Sequence, residues 1–192
     1  MFSEPLKLRF QDVIEFLAGL DIPGLSIRIS DESGQLMNTG GAVLHAREFF
    51  TGEESFLVHN VDVYTNLDIS ALIEAHMKDD SLVTMAVKKR ITSRSLLFNN
   101  DNILAGWRHN ETGEERRLPG QAENLQDFGN SCVQVINTEF FDHFPDTEPL
   151  PLVQMFLDLA PGHKIRAYIH NEDYWYDLGR YKNFLQAEKK LF

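Results

Sequence analysis

Phe56-Leu57-Val58-His59-Asn60-Val61-Asp62-Val63 decides how this chain is read. Apolar residues open a strand whose far end turns polar and carries a carboxylate. In an open α/β sheet, ligands bind at the carboxyl ends of the strands. An apolar strand ending in an aspartate can place a Mg²⁺ ligand over a phosphate. The same residue could equally be a solvated carboxylate or a cap for the helix that follows. Downstream, Asp68 is placed to cap a helix over Ile69–Met77, because its carboxylate accepts a free backbone N–H. Leu82 to Val87 is an apolar strand. Upstream, Leu36-Met37-Asn38-Thr39-Gly40-Gly41 leads into a short apolar helix from Ala42 to Phe49. Two glycines beside a helix start let a flat ring or a phosphate approach the backbone. A plain strand-to-helix loop is the competing interpretation.

The rest of the chain extends this pattern. Phe10, Val13, Ile14, Leu17 and Leu20 fall at helical spacing, so Arg9–Leu20 predicts an amphipathic helix, broken by Pro23-Gly24. Leu25, Ile27 and Ile29 alternate with polar residues as a strand would, and Gly34 marks a turn. Leu96–Phe98 and Ile103–Trp107 flank Asn99-Asn100-Asp101-Asn102, a hairpin with strong turn chemistry. Arg108–Asp127 reads as a long polar loop or lid. Cys132–Ile136 predicts a strand, Asn137 or Thr138 caps a helix through Phe144, and Leu152–Leu159 predicts another. Ile165–Ile169 and Tyr174–Tyr176 predict a second hairpin across Asn171-Glu172-Asp173. A helix from Tyr181 to Leu191 closes the chain. Strands alternate with helices early and hairpins come late. The expectation is a single α/β domain over residues 1–192, with a Rossmann-like, mixed and mostly parallel sheet flanked by helices.

Composition narrows the function. The 192 residues are 43% apolar and 11% aromatic, enough for a sizeable core. The formal net charge is −11, and the longest basic run is Lys88-Lys89-Arg90. This excludes wrapping of nucleic acid, which needs a positive face to release counterions. A local basic pocket could still hold a small phosphate ligand. The lone cysteine, Cys132, cannot form an intrachain disulfide and fits a reducing compartment. No apolar run reaches a membrane span and the N-terminus lacks a signal-peptide centre, so the expected location is the cytoplasm. The seven histidines show no HExxH or similar spacing, which argues against a histidine metal site. In Tyr176-Asp177-Leu178-Gly179 a second carboxylate follows apolar strand positions and precedes a glycine and a helix. Two such carboxylates on neighbouring strand ends could share one Mg²⁺.

The order of Asn-Thr-Gly-Gly, His-Asn-Val-Asp-Val, hairpin, Asp-Leu-Gly and helix resembles the sugar-1-phosphate nucleotidyltransferases, the NDP-sugar pyrophosphorylases. The likeness is to the short bacterial branch, with mannose-1-phosphate guanylyltransferase-like and N-acetylmuramate-1-phosphate uridylyltransferase-like members. It runs from about Arg9 to the C-terminus. The resemblance implies that Thr39, Gly40 and Gly41 lie beside the nucleotide base, with Asn60 also at the nucleotide. It implies that Asp62 and Asp177 are the catalytic pair, binding Mg²⁺ together. The implied reaction is NTP plus sugar 1-phosphate giving NDP-sugar plus diphosphate, in cell-envelope sugar metabolism. Lys88, Lys89 and Arg108 are candidates for the sugar phosphate by charge and strand-end position. They read equally well as solvated surface charges.

The chain departs from the family pattern at three places. The family opens with a strand, a Gly-x-Gly-x-Arg loop and a downstream Pro-Lys that grip the triphosphate. Nothing in Met1–Leu20 matches, so the chain is expected to be N-terminally truncated by a strand–loop–helix unit on the order of 30 residues or more. That would weaken catalysis and leave an open sheet edge, favouring a homo-oligomer or docking on a paralogue. Asn38 stands where the branch usually has an acidic residue, and Cys132 where a glycine normally sits near the sugar. Two other functions follow from these departures. One is a non-catalytic protein that binds a sugar nucleotide. The other is a metal-dependent glycosyltransferase, disfavoured because the residues two before and two after Asp62 are Asn60 and Tyr64.

Overall fold

The computed structural model describes residues 10–32, 36–120, 124–145, 149–179 and 181–191. Gly34, Arg9 and part of the expected 108–127 loop lie outside them. The chain divides into two compact units, Met1–Leu36 and Met37–Phe192. The first contains helix α1 (Phe10–Ala18). The alternating Leu25, Ile27 and Ile29 form no strand there; they are 57%, 38% and 40% exposed. Alternation specifies a strand only where a partner strand accepts it.

The second unit carries the sheet. Its elements are α2 (Asn38–His45), a 3₁₀ turn Arg47–Phe50, β1 (Ser55–His59), β2 (Val63–Thr65), α3 (Ile69–Met77) and β3 (Val83–Lys88). Then come β4 (Arg94–Phe98), β5 (Leu104–His109), β6 (Glu115–Arg117) and β7 (Gln126–Asn137). A 3₁₀ turn Thr138–His143, α4 (Leu152–Leu159), β8 (Ile165–Ile169), β9 (Trp175–Asp177) and α5 (Tyr181–Leu191) complete it. Asp68 caps α3 as expected, its Oδ1 accepting from Ala71 N at 2.9 Å.

The main sheet runs β6-β5-β4-β7-β3-β8, with β1 also on β7. It is mixed, but its balance corrects one expectation. Among the described residues only β3 and β8 pair in parallel. The long β7 runs antiparallel to β1, β3 and β4, and β4-β5-β6 is an antiparallel meander. Two loop expectations also change. The 108–127 segment is not one loop, because β5 extends to His109 and β6 follows. Nor do β8 and β9 form a hairpin. β8 joins the main sheet, whereas β9 pairs with β2 in a separate ribbon.

β3 shows why the centre of the sheet is mostly apolar. Val83, Met85 and Val87 face one core with Leu152, Met155 and Phe156 of α4. Ala86 faces the other with Leu72 of α3 and with Val133 and Val135 of β7. Successive strand side chains point to opposite faces, so a strand covered on both sides is apolar on both faces; the buried polar exception in β3, Thr84, has its hydroxyl hydrogen-bonded with His76 Nδ1 at 2.9 Å. Among the described residues, β1 pairs on one side only.

Candidate metal and phosphate site

The ribbon of β2 and β9 brings two distant carboxylates together. The strands are antiparallel with Val63 opposite Asp177, so the residue before β2 meets the end of β9. Leu178 N donates to Asp62 O at 2.7 Å and locks this join. The ribbon is tied to the main sheet by Trp175 Nε1 donating to Ser131 O at 2.9 Å, and β1 to β7 by Asn60 N donating to Cys132 O at 3.1 Å. Asn60 therefore sits in the turn that delivers Asp62.

Gly179 fixes the space between the carboxylates. A Cβ there would lie 2.7 Å from Asp62 Oδ2 and 3.2 Å from Asp177 Oδ1. Gly179 N also donates to Asp177 Oδ1 at 3.1 Å. Both carboxylates thus converge on a point that only a residue without a side chain leaves open. Mg²⁺ is held by one or two protein carboxylates and completes its octahedron with water and phosphate oxygens. The donor set and the clearance over Gly179 fit that ion.

Asp177 lines a cleft of about 1110 Å³, shared with Arg90, Arg94, His109 and Trp175. Arg90 lies over the Trp175 ring, 4.1 Å from its centroid, and its Nη2 donates to Asn130 O at 2.8 Å. Burial pushes the Arg90 pKa down, while the nearby Asp177 charge pushes it up. Its Nε is buried without a partner. Cys132 is at φ 57°, in the left-handed region where glycine is unstrained. This gives a physical reason for glycine in the family pattern. Burial raises the Cys132 pKa, against the pull of Arg90 and together with Asp62 and Asp177. It stays a thiol, not a nucleophile.

The other sequence candidates lie elsewhere or have partners. Thr39, Gly40 and Gly41 are in the first turn of α2, whose start precedes the expected Ala42. Gly40 and Gly41 N donate to Leu150 O at 2.8 and 3.2 Å, and Leu152 N donates to Thr39 Oγ1 at 3.1 Å. A Cβ on Gly40 would meet Met155 Sδ at 2.4 Å and Leu150 O at 2.6 Å. The glycine is required there by close packing of α2 on α4. Lys88 Nζ donates to the carbonyls of Asn171 and Asp173, closing the β8–β9 connection. Lys89 pairs with Asp127 at 2.9 Å and Arg108 with Glu115 at 2.6 Å. Arg90 and Arg94, missed by the sequence reading, are the arginines that line the cleft. The signal was the basic run itself. Lys88 and Lys89 are consumed by backbone and Asp127, leaving its third member over the ribbon.

This architecture is the nucleotide-diphospho-sugar transferase fold. HddC from Yersinia pseudotuberculosis is similar to it, with a TM-score of 0.62 and 20% identity over 83% of this chain and 64% of that one. The same protein complexed with GMP-PN matches with a TM-score of 0.61. UDP-glucose pyrophosphorylase from Acinetobacter baumannii matches with a TM-score of 0.64 and 18% identity, over 92% of this chain and 64% of that one. The chain thus spans under two thirds of the length of these solved neighbours. No family model and no curated protein matches the sequence. Among the described residues, no helix is long and apolar enough to cross a membrane.

Proposed function

We propose that this chain binds the phosphates of a nucleotide and a sugar phosphate through Mg²⁺ at Asp62 and Asp177, and serves the reaction NTP plus sugar 1-phosphate to NDP-sugar plus diphosphate. The observation that carries this reading is the convergence of the two carboxylates over Gly179 at the edge of the Arg90–Arg94 cleft. When bound, Mg²⁺ supplies charge neutralisation of the phosphate oxygens. Asp62 and Asp177 fix its place, and the ribbon register holds them there without further rearrangement. Arg94, whose side chain is exposed in the cleft, presents a guanidinium to phosphate oxygens. Arg90, clamped by Trp175 and Asn130, adds positive charge that does not need to be ordered on binding. Asn60, two residues from Asp62, is assigned to the nucleotide. Thr39, Gly40 and Gly41 keep that role only as backbone surface, since both glycine N–H groups are spent on Leu150. Lys88, Lys89 and Arg108 lose the sugar-phosphate assignment to Arg90 and Arg94. With these substrates, the location that belongs to the proposal is the cytoplasm.

The test is diphosphate release by the purified chain with Mg²⁺, each common NTP and a panel of sugar 1-phosphates. Release that disappears in Asp62→Ala and in Asp177→Ala supports the reading. A folded chain that binds NDP-sugars without releasing diphosphate would reduce it to sugar-nucleotide binding. No Mg²⁺-dependent binding of any member of either panel would overturn it.

A further inference from the structure

A second cluster of metal-ligating side chains lies at the other end of β7. The site above meets β7 at Asn130 and Cys132. The second cluster follows Asn137, roughly 20 Å along the strand at about 3.4 Å per residue. Glu139 and His143 belong to the 3₁₀ turn Thr138–His143, and His163 to the loop after α4. One ligand atom from each lies within 4.8 Å of the others. His143 Nε2 is 3.9 Å from Glu139 Oε1, too far for a hydrogen bond. The His143 and His163 rings meet edge to face with centroids 4.3 Å apart. His143 Nε2 is buried and has no hydrogen-bond partner. A buried imidazole nitrogen without a partner costs free energy unless something satisfies it.

We propose that Glu139, His143 and His163 form a Zn²⁺ site. Two imidazole nitrogens and a carboxylate are a usual zinc donor set, with a water completing the tetrahedron. Bonds of about 2.0–2.2 Å set tetrahedral ligand atoms roughly 3.4 Å apart, so the observed group needs only a short closure. Glu139, with its side chain 62% exposed, has the freedom to make that closure from the solvent side. His143 Nε2 then gains the partner it lacks. The ion would clip the turn after β7 to the α4–β8 loop, beside the contact that Phe140 of that turn already makes with Phe156 of α4, 6.0 Å between centroids. The harder oxygen donors of Asp62 and Asp177 suit Mg²⁺, whereas this set selects a borderline-soft ion. The two sites therefore discriminate by ligand chemistry, and this proposal does not depend on the function assigned above.

Isothermal titration of the metal-free chain with Zn²⁺ tests it, alongside the ligand-field absorption of bound Co²⁺. The expected result is one ion per chain at micromolar or tighter affinity, undiminished by millimolar Mg²⁺, with a four-coordinate Co²⁺ spectrum and a raised Tm. His143→Gln and His163→Gln should each weaken binding by more than about 100-fold, since loss of even an outer-shell partner costs 10–100-fold. His45→Gln, at the C-terminal end of α2, should leave it unchanged. No saturable binding to the unmodified chain would overturn the proposal, whether or not the variants fold. Binding that survives both His143→Gln and His163→Gln, or a six-coordinate Co²⁺ spectrum, would also overturn it.

Discussion

Gly179→Ala separates the two roles a glycine can have between paired carboxylates. Gly179 is not in the left-handed region, so alanine meets no backbone penalty. The new methyl carbon would stand 2.7 Å from Asp62 Oδ2 and 3.2 Å from Asp177 Oδ1. One or both carboxylates must retreat by about half an ångström, more than the roughly 0.2 Å that metal–ligand distances tolerate. Mg²⁺ demands near-ideal octahedral geometry and does not adapt to such a shift. Removal of glycine from the unfolded chain stabilises by about 0.4–1 kcal/mol, which offsets part of the contact cost. The fold should stay within about 1 kcal/mol of wild type. Mg²⁺-dependent binding of an NDP-sugar should fall at least about tenfold, about 1.4 kcal/mol. Calorimetry with and without Mg²⁺ reads the binding, and urea unfolding reads the stability. Gly162→Ala, whose Cβ would find nothing closer than 4.0 Å, is the control and should leave both intact. Unchanged Mg²⁺-dependent binding in a folded Gly179→Ala chain would refute the reasoning.

Other perturbations test the frame around the site. Gly40→Ala should destabilise by about 1–3 kcal/mol through overpacking against Leu150 and Met155, measured by urea unfolding; a neutral effect would show that α2 is not held tightly on α4. Asp79 is disfavoured as an anion by burial, but Lys164 and Ser81 hydrogen bonds and the Arg166 and Lys164 charges outweigh this and hold its pKa at about 2. A carboxylate with a lowered folded pKa contributes stability above its unfolded pKa of 3.8, lost as pH falls through about 2. With Lys164 and Arg166 side chains 41% and 38% exposed, that contribution is on the order of 1 kcal/mol, and Asp79→Asn should flatten the acid limb of stability against pH. Burial lowers the His170 pKa against the pull of Asp173, with Lys88 and Arg90 adding to the depression. The unfolded chain therefore takes up that proton first, and stability should decline as pH falls from the ordinary histidine range through the lowered value; His170→Gln should remove this part of the profile.

Local chemistry was legible in the sequence where it decides the structure alone. The Asp68 cap and the apolar spacing after it gave α3 at Ile69–Met77, and the Leu152–Leu159 and Tyr181–Leu191 helices lie where their spacing puts them. Partner choice was not legible. Asn171-Glu172-Asp173 does turn the chain, yet β9 pairs with β2, more than 100 residues earlier in sequence, and Lys88 crosses to satisfy the turn carbonyls. The glycines at 40 and 41 looked like an open loop because their neighbour, Leu150, is remote in sequence. Lys89 looked free for the same reason, since Asp127 reaches it from β7, whereas Arg108 looked free because the β5–β6 pairing that sets Glu115 opposite it lies in a stretch that reads as loop. Glu139 and His143 form no recognisable zinc spacing because the third ligand, His163, arrives from after α4. The convergence of Asp62 and Asp177 depends on the β2–β9 register, which neither strand shows by itself.

A double-mutant cycle on Asp62→Ala and Asp177→Ala, read by calorimetric titration of NDP-sugars with and without Mg²⁺, tests the central claim most directly. If the two carboxylates hold one ion, each single substitution should remove the Mg²⁺-dependent gain in affinity, and the double variant should lose no more than either single. Losses that simply add, or that are equal in the absence of Mg²⁺, would contradict a shared metal site.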